Sequence, residues 1–131
     1  MKYVADTNIL LRYVLRDNSS QFKRVSAYFL KAKSEKIEII FLNEVIIEAE
    51  YALRKIYRIP KKDIVKALIQ FISIPYLRFQ NRIVLLESLL YYQQYNIDLI
   101  DLIVHVTAMK EHAQVLSFDK DFKKLAKTKT Q

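Results

Sequence analysis

Short apolar runs rich in β-branched and aromatic residues alternate along this chain with stretches of helical periodicity, and no other feature limits the fold as strongly. Lys2–Ala5, Glu38–Leu42, Tyr76–Phe79 and Gln114–Phe118 read as strands. Between the first two, Ile9, Leu10, Tyr13 and Val14, then Phe22, Val25, Phe29 and Ala32, recur at helical spacing. Between the second and third, Val45, Ala49, Ala52 and Ile56 form one such stripe, and Ile64, Ala67, Leu68, Phe71 and Ile72 form another. Two more helices, Ile83 to about Tyr95 and Leu99 to His112, precede the last run, and a short helix starts near Asp119. Strands joined through helices are usually parallel, with right-handed crossovers. The prediction is an α/β domain of three layers, a central parallel sheet flanked by helices.

Turn residues set the boundaries. Asp17-Asn18-Ser19-Ser20 is a capping cluster. Asn43 stops the second strand and can cap the helix after it, and Pro60 suits a first helical turn. Ile74-Pro75 ends a helix, because proline disfavours helical geometry in the residue before it. Glu50 stands four residues before Arg54 as a surface ion pair. Leu99–His112 is apolar on nearly all sides, which predicts a deep position. No linker rich in proline, glycine or serine interrupts the chain, so one domain over 1–131 is expected.

There is no glycine and no cysteine. Without glycine, neither the phosphate loop of nucleoside triphosphatases nor that of dinucleotide-binding folds can be built. Without cysteine there is no disulfide, thiolate metal ligand or thiol nucleophile, and a reducing compartment, the cytoplasm, fits best. The longest uncharged run, Ala67–Leu77, falls well short of the about twenty apolar residues of a membrane span. Asp6 comes too early for a signal-peptide core. Twenty-two Lys and Arg against fourteen Asp and Glu give a net charge of +8, which favours polyanionic partners such as nucleic acid. Lysines such as Lys31, Lys33 and Lys36 serve equally well as the wet faces of helices.

Against that positive background, acids recur at strand ends. Asp6 follows the first strand, Glu44 the second by way of Asn43, and Asp119 the last. Three carboxylates thus leave one edge of a parallel sheet, the edge where ligands sit in open α/β folds. Asp101 lies in the first turn of the apolar helix, within Asp98-Leu99-Ile100-Asp101. Each acid has a plain reading. Asp6-Thr7-Asn8 caps a helix, Asp98 with Asp101 makes an acidic analogue of a capping box, and Glu44 and Asp119 gain about 0.3–1 kcal/mol each from a helix dipole. Capping does not resolve what the four do together: carboxylates gathered at one site repel until some are protonated or a cation binds between them. Hard divalent ions such as Mg2+ or Mn2+ take oxygen ligands. Such ions activate a water and neutralise charge developing on a phosphodiester, while a basic surface attracts its backbone. Nuclease chemistry fits both halves.

Four segments, Asp6-Thr7-Asn8-Ile9-Leu10, Asn43-Glu44-Val45, Ile97-Asp98-Leu99-Ile100-Asp101-Leu102 and Ser117-Phe118-Asp119-Lys120-Asp121-Phe122, resemble the ordered acidic motifs of PIN-domain proteins, particularly VapC-type toxins of toxin-antitoxin pairs. The resemblance covers nearly the whole chain. It implies a PIN-like sheet of four or five strands and a Mg2+- or Mn2+-dependent endoribonuclease. Its acidic cluster, catalytic and metal-binding at once, would be Asp6, Glu44, Asp101 and Asp119, with Thr7, Asn8 and Ser117 as polar support. It also implies an RNA substrate, homodimerisation and a cognate antitoxin that blocks the site. Two departures stand out: the family usually carries a glycine near the position of His112 to Gln114, and it often adds a strand after the last helix, whereas this chain ends soon after Leu125.

Neighbouring residues have two readings each. Glu48, one turn after Glu44, faces the same site or solvent. Asp121 competes with Asp119, which follows the strand more closely. His105, one turn beyond Asp101, tunes that carboxylate or is a hydrogen-bonded core histidine, and His112 reads as a helix-end residue favoured by the dipole. Arg12 and Arg16 contact phosphate or solvate the surface. Most of the nine tyrosines and seven phenylalanines should be core, with Tyr91, Tyr92 and Tyr95 suited to a dimer or partner surface. The alternatives to a toxin ribonuclease are a noncatalytic RNA- or partner-binding module, a general RNA-processing nuclease, and a phosphoryl-transfer enzyme with Asp6 as acceptor. For the last, Asp6-Thr7-Asn8 lacks the second aspartate that haloacid-dehalogenase-like phosphatases use two residues on.

Overall fold

Pairing between short parallel strands anchors the first part of the chain. The computed structural model describes residues 1–129, and the side chains of 1–126. In it β1 (Lys2–Val4) lies parallel to β2 (Glu38–Phe41), with Val4 opposite Ile40. On the other side of β2 runs β3 (Arg78–Phe79), also parallel, with Phe41 opposite Phe79. The Ala5 N–H continues the first ladder, donating to the Ile40 carbonyl at 2.9 Å. The helices α1 (Thr7–Leu15), α2 (Ser19–Lys33), α3 (Asn43–Lys55) and α4 (Lys61–Ile72) connect these strands. They complete a compact unit, Met1–Arg82.

Within that unit the alternation of β2 decides what is inside. Ile39 and Phe41 are buried, while Glu38 is exposed and Ile40 half-buried, as a period of two requires. The Phe41 ring stacks on Phe79 at 5.5 Å and meets Phe71 of α4 edge-on at 5.1 Å. Phe29 of α2 and Tyr13 of α1 extend the cluster, their centroids 4.7 Å apart. Offset and edge-on pairs of this kind add to the area that the rings bury. The Glu50–Arg54 pair expected at the surface is instead sunk into the fold, with Glu50 only 3 % exposed. Its carboxylate accepts from Arg54 Nε at 2.7 Å, and Lys61 also lies in its field. Helical spacing fixes which residues meet; it does not say which face is covered.

The second compact unit, Ile83–Gln131, carries most of α5 (Arg82–Gln94), then α6 (Leu99–Lys110) and α7 (Asp121–Lys129). Leu85, Leu89, Leu99, Leu102, Val106 and Leu125 are buried. Lys110 of α6 donates to Glu87 of α5 at 2.7 Å, and Tyr91 sits edge-on to His105 at 5.5 Å.

The parallel sheet flanked by helices is the predicted one, but it has three strands among the described residues where four or five were expected. Gln114–Phe118 forms no strand, and Leu116 and Phe118 are fully exposed. A strand exists only by pairing with a neighbour, and none of β1, β2 and β3 pairs with this segment. Tyr76–Phe79 contracts to two residues, and the last helix starts at Asp121 rather than near Asp119. No helix among the described residues is long and apolar enough to cross a membrane.

With no glycine available, other residues occupy the left-handed positions that end helices. Glu35 (φ 63°) follows α2 and His112 (φ 53°) follows α6. At each end the next residue's N–H returns to a carbonyl five residues back, Lys36 to Lys31 at 3.0 Å and Ala113 to Ala108 at 2.8 Å. This is the helix-ending motif in which glycine is usual. His112 therefore lies beyond the last turn of α6, where a Cβ is a steric cost.

Two stability measurements follow from this packing. Phe41→Ala should lose about 3–5 kcal/mol in urea unfolding; a loss near zero would mean that the aromatic cluster is not packed as described. Glu35→Gly should gain up to about 1 kcal/mol, because relief of the left-handed strain exceeds the entropy that glycine costs. A clear loss would contradict that backbone conformation.

Candidate active site

The carboxyl ends of β1 and β2 place two of the predicted acids. Asp6 has an extended backbone (φ −91°, ψ 177°) and ends the first strand as the N-cap of α1, its carboxylate accepting from the Ile9 N–H at 3.3 Å. The capping reading of Asp6 is thus realised, and it leaves the second carboxylate oxygen uncommitted among the described residues. Asp6, Thr7 and Asn8 border a cleft of about 600 Å3 whose other wall includes Glu48 of α3. Glu44 stands exposed in the first turn of α3.

Asn43 does not cap α3, whose N-cap position is Leu42. Its N–H donates instead to Gln80 Oε1 at 3.0 Å, and Asn43 Oδ1 is buried without a hydrogen bond. Gln80 satisfies a helix terminus from the far strand. A single glutamine after a two-residue strand gives no sequence signal for that role, since only the β2–β3 pairing brings it there.

In the second unit the acids crowd. Asp98 occupies the N-cap of α6 but makes no side-chain cap bond, so the capping-box reading is not realised. The turn is closed by backbone alone, with the Asp101 N–H donating to the Asp98 carbonyl at 3.1 Å. Asp101 is half-buried, and its carboxyl is pushed above the usual aspartate range, first by burial and then by the charges of Asp119, Asp98 and Asp121. Ser117 Oγ accepts from the Asp119 N–H at 3.0 Å, and Asp119 Oδ1 accepts from the Asp121 N–H at 2.9 Å. These two short turns fix the chain entering α7. Asp121 pairs with Lys124 at 3.8 Å, which separates its role from that of Asp119. His105 is buried edge-on to Tyr91, the packing of a core histidine.

The four predicted acids therefore divide two and two, Asp6 and Glu44 in Met1–Arg82, Asp101 and Asp119 in Ile83–Gln131. None forms an ion pair among the described residues, whereas Asp17, Glu38, Glu50, Glu87 and Asp121 do. Within neither unit do three His, Asp or Glu side chains come together as a ready cage for a metal ion, among the described residues. The donor chemistry, carboxylate oxygens with no thiolate, nevertheless suits a hard divalent cation. Asp98 and Asp121, read from sequence as a cap and as a competitor of Asp119, both contribute to the charge around Asp101.

The profile of the PIN-domain family matches residues 3–128, and the chain belongs to that family. The match runs through both compact units. Proteins of this family are typically nucleases. Among solved structures the chain is similar to the Mycobacterium tuberculosis toxin VapC20, described as cleaving the sarcin-ricin loop. The identity is 16%, 95% of each chain is covered, and the TM-score is 0.43. No curated protein matches the chain.

The raised carboxyl of Asp101 has a defined effect on stability. Its charged form is disfavoured on folding, so its favourable contribution is complete below its ordinary value of 3.8 and is lost as pH rises through the raised value. Asp101→Asn should melt at a higher temperature than the parent at pH 7, and the difference should close as pH falls below 3.8. A variant that melts lower at pH 7 would rule out that balance.

Proposed function

We propose that this PIN-domain chain is an endoribonuclease dependent on Mg2+ or Mn2+, with Asp6, Glu44, Asp101 and Asp119 as the metal-binding and catalytic acids. What carries the proposal is the crowding at Asp101, where burial and three aspartates raise a carboxyl that has no ion pair among the described residues. Like charges held together in this way are relieved when a cation binds. A bound divalent ion supplies activation of water and neutralisation of charge on the phosphodiester. The chain's own residues supply position. The cap bond from the Ile9 N–H orients the Asp6 carboxylate at the end of β1, and the Ser117 turn sets the backbone of Asp119. Thr7 and Asn8 offer a hydroxyl and an amide on the rim of the cleft that Asp6 borders. The net charge of +8 draws an RNA backbone toward the protein, at an ionic-strength-dependent rate.

The finer assignment is the toxin of a VapC-type pair, active as a homodimer in the cytoplasm and silenced by a cognate antitoxin. Its support is the order of the four motifs along the chain. One observation favours a second reading, a noncatalytic RNA-binding form of the fold: among the described residues no three His, Asp or Glu side chains stand close enough together to hold a metal ion.

Cleavage of a panel of structured and single-stranded RNAs, with Mg2+, Mn2+ or chelator, separates the two. The parent should cut only with metal. Asp6→Asn and Asp101→Asn should each lose about a thousandfold in rate while keeping the parent's circular dichroism, the cost of several kcal/mol of transition-state stabilisation. Mn2+ should also raise the melting temperature of the parent, and do so less in Asp101→Asn. Full activity in both variants would refute the site, and metal-independent RNA binding without cutting would establish the second reading.

A further inference from the structure

The first helix pair carries a groove that the acids do not account for. On α2, Gln21, Arg24, Val25 and Tyr28 fall at spacings of three and four, one stripe of the helix. They face Asn8, Ile9 and Arg12 of α1 across a cleft of about 230 Å3, and Asp6 stands at its end. A second cleft of about 370 Å3 shares Asp6, Ile9, Arg24, Val25 and Tyr28 and continues past Tyr3 and Phe29. The larger cleft, mainly apolar with a few convergent polar groups, has the size typical of sites for small organic groups, and the smaller one adds more polar lining beside it.

The polar groups differ in how they are held. Arg12 is committed: it donates to Asp17 at 3.1 Å and to the Tyr57 hydroxyl at 2.8 Å. Arg24 is exposed and has no hydrogen bond, ion pair or ring contact among the described residues. Its guanidinium therefore meets an anion without first breaking a bond. Tyr28 is 41 % exposed, with Tyr3 edge-on at 5.5 Å and the Lys31 ammonium 5.7 Å from its centroid. Uncommitted cation, exposed aromatic ring and side-chain amides beside one another form the set that binds a nucleotide: guanidinium on phosphate, ring on base, amide on a base edge.

We propose that the α1–α2 groove binds a nucleotide of the RNA strand next to the scissile phosphate, with Arg24 on its phosphate and Tyr28 against its base. This rests on the ribonuclease proposal, because Asp6 is what ties the groove to the point of cleavage. Gln21 and Asn8 lie where they can discriminate between bases, so the groove is also a determinant of cleavage sequence.

The test measures binding apart from cleavage. A short fluorescein-labelled single-stranded RNA of mixed sequence is titrated in chelator, over a range of salt, with the parent, Arg24→Ala, Arg24→Lys, Tyr28→Ala and Tyr28→Leu. Circular dichroism and melting temperature check each fold. Arg24→Ala should weaken binding and flatten the slope of log affinity against log salt by about 0.7, the share of one phosphate on a single strand. Arg24→Lys should restore the slope. Tyr28→Ala and Tyr28→Leu should weaken binding by about tenfold or more with the slope unchanged, which separates lost stacking from lost charge. The same variants should raise KM for RNA cleavage with little change in kcat.

If the parent cuts RNA while Arg24→Ala and Tyr28→Ala keep its affinity and salt slope, the subsite is refuted and the groove is open to a polypeptide instead. If the parent binds through Arg24 and Tyr28 but cuts nothing, the groove stands as an RNA site and the ribonuclease proposal falls. If it neither cuts nor binds, both fall.

Discussion

Parallel pairing of β1 with β2 is the constraint from which the first unit follows. The register that sets Val4 against Ile40 also turns Ile39 and Phe41 into the aromatic cluster. A slip of one residue would reverse every side chain of β2, exposing Phe41 and turning Glu38 inward. The same register brings Asp6 and Glu44 to the carboxyl edge of adjacent strands, because they follow their strands by two and three residues. Core and acids are thus set by one choice. The ladder is short, and its carboxyl end is reinforced from β3, where Gln80 supplies the acceptor that the start of α3 lacks.

Electrostatics divides the acids by whether the fold gives them a partner. Glu50 is buried against Arg54 with Lys61 in its field, Glu87 is bonded to Lys110, and Glu38 lies between Lys2 and Arg78. Asp101 is partly desolvated among other aspartates and receives no cation from the described residues. A buried pair and a crowded carboxylate both restrict water, but the pair is neutralised internally and the crowd is not. In a chain of net charge +8 that contrast is chemically meaningful, because cations were available and are placed elsewhere. Arg24 has the opposite sign and the same property, exposed beside the cleft that ends at Asp6.

Legibility differed by element for identifiable reasons. The helical stripes of α1 to α4 were readable because apolar residues at spacings of three and four leave few alternatives. β1 and β2 were readable from short β-branched and aromatic runs. Gln114–Phe118 has the same composition and is exposed coil, because composition gives the tendency and a neighbouring strand gives the bonds. Glu50 and Arg54 were readable as a pair, yet their burial was not. Asp98 sits at the N-cap that sequence assigned to it without making the cap bond, since position along the chain does not fix a side chain's rotamer.

By itself the sequence determined the α/β class, the order of the helices and the family of the chain, all carried by residue type and local spacing. Tertiary structure alone decided that three strands pair, that Gln80 meets Asn43, and that Asp119, Asp98 and Asp121 crowd Asp101. It also left Arg24 and Tyr28 exposed beside the end of β1. The physical reason is range. Periodicity and capping act within a few residues and are written locally, whereas pairing, desolvation and charge crowding arise between segments far apart in sequence and exist only once the chain has folded.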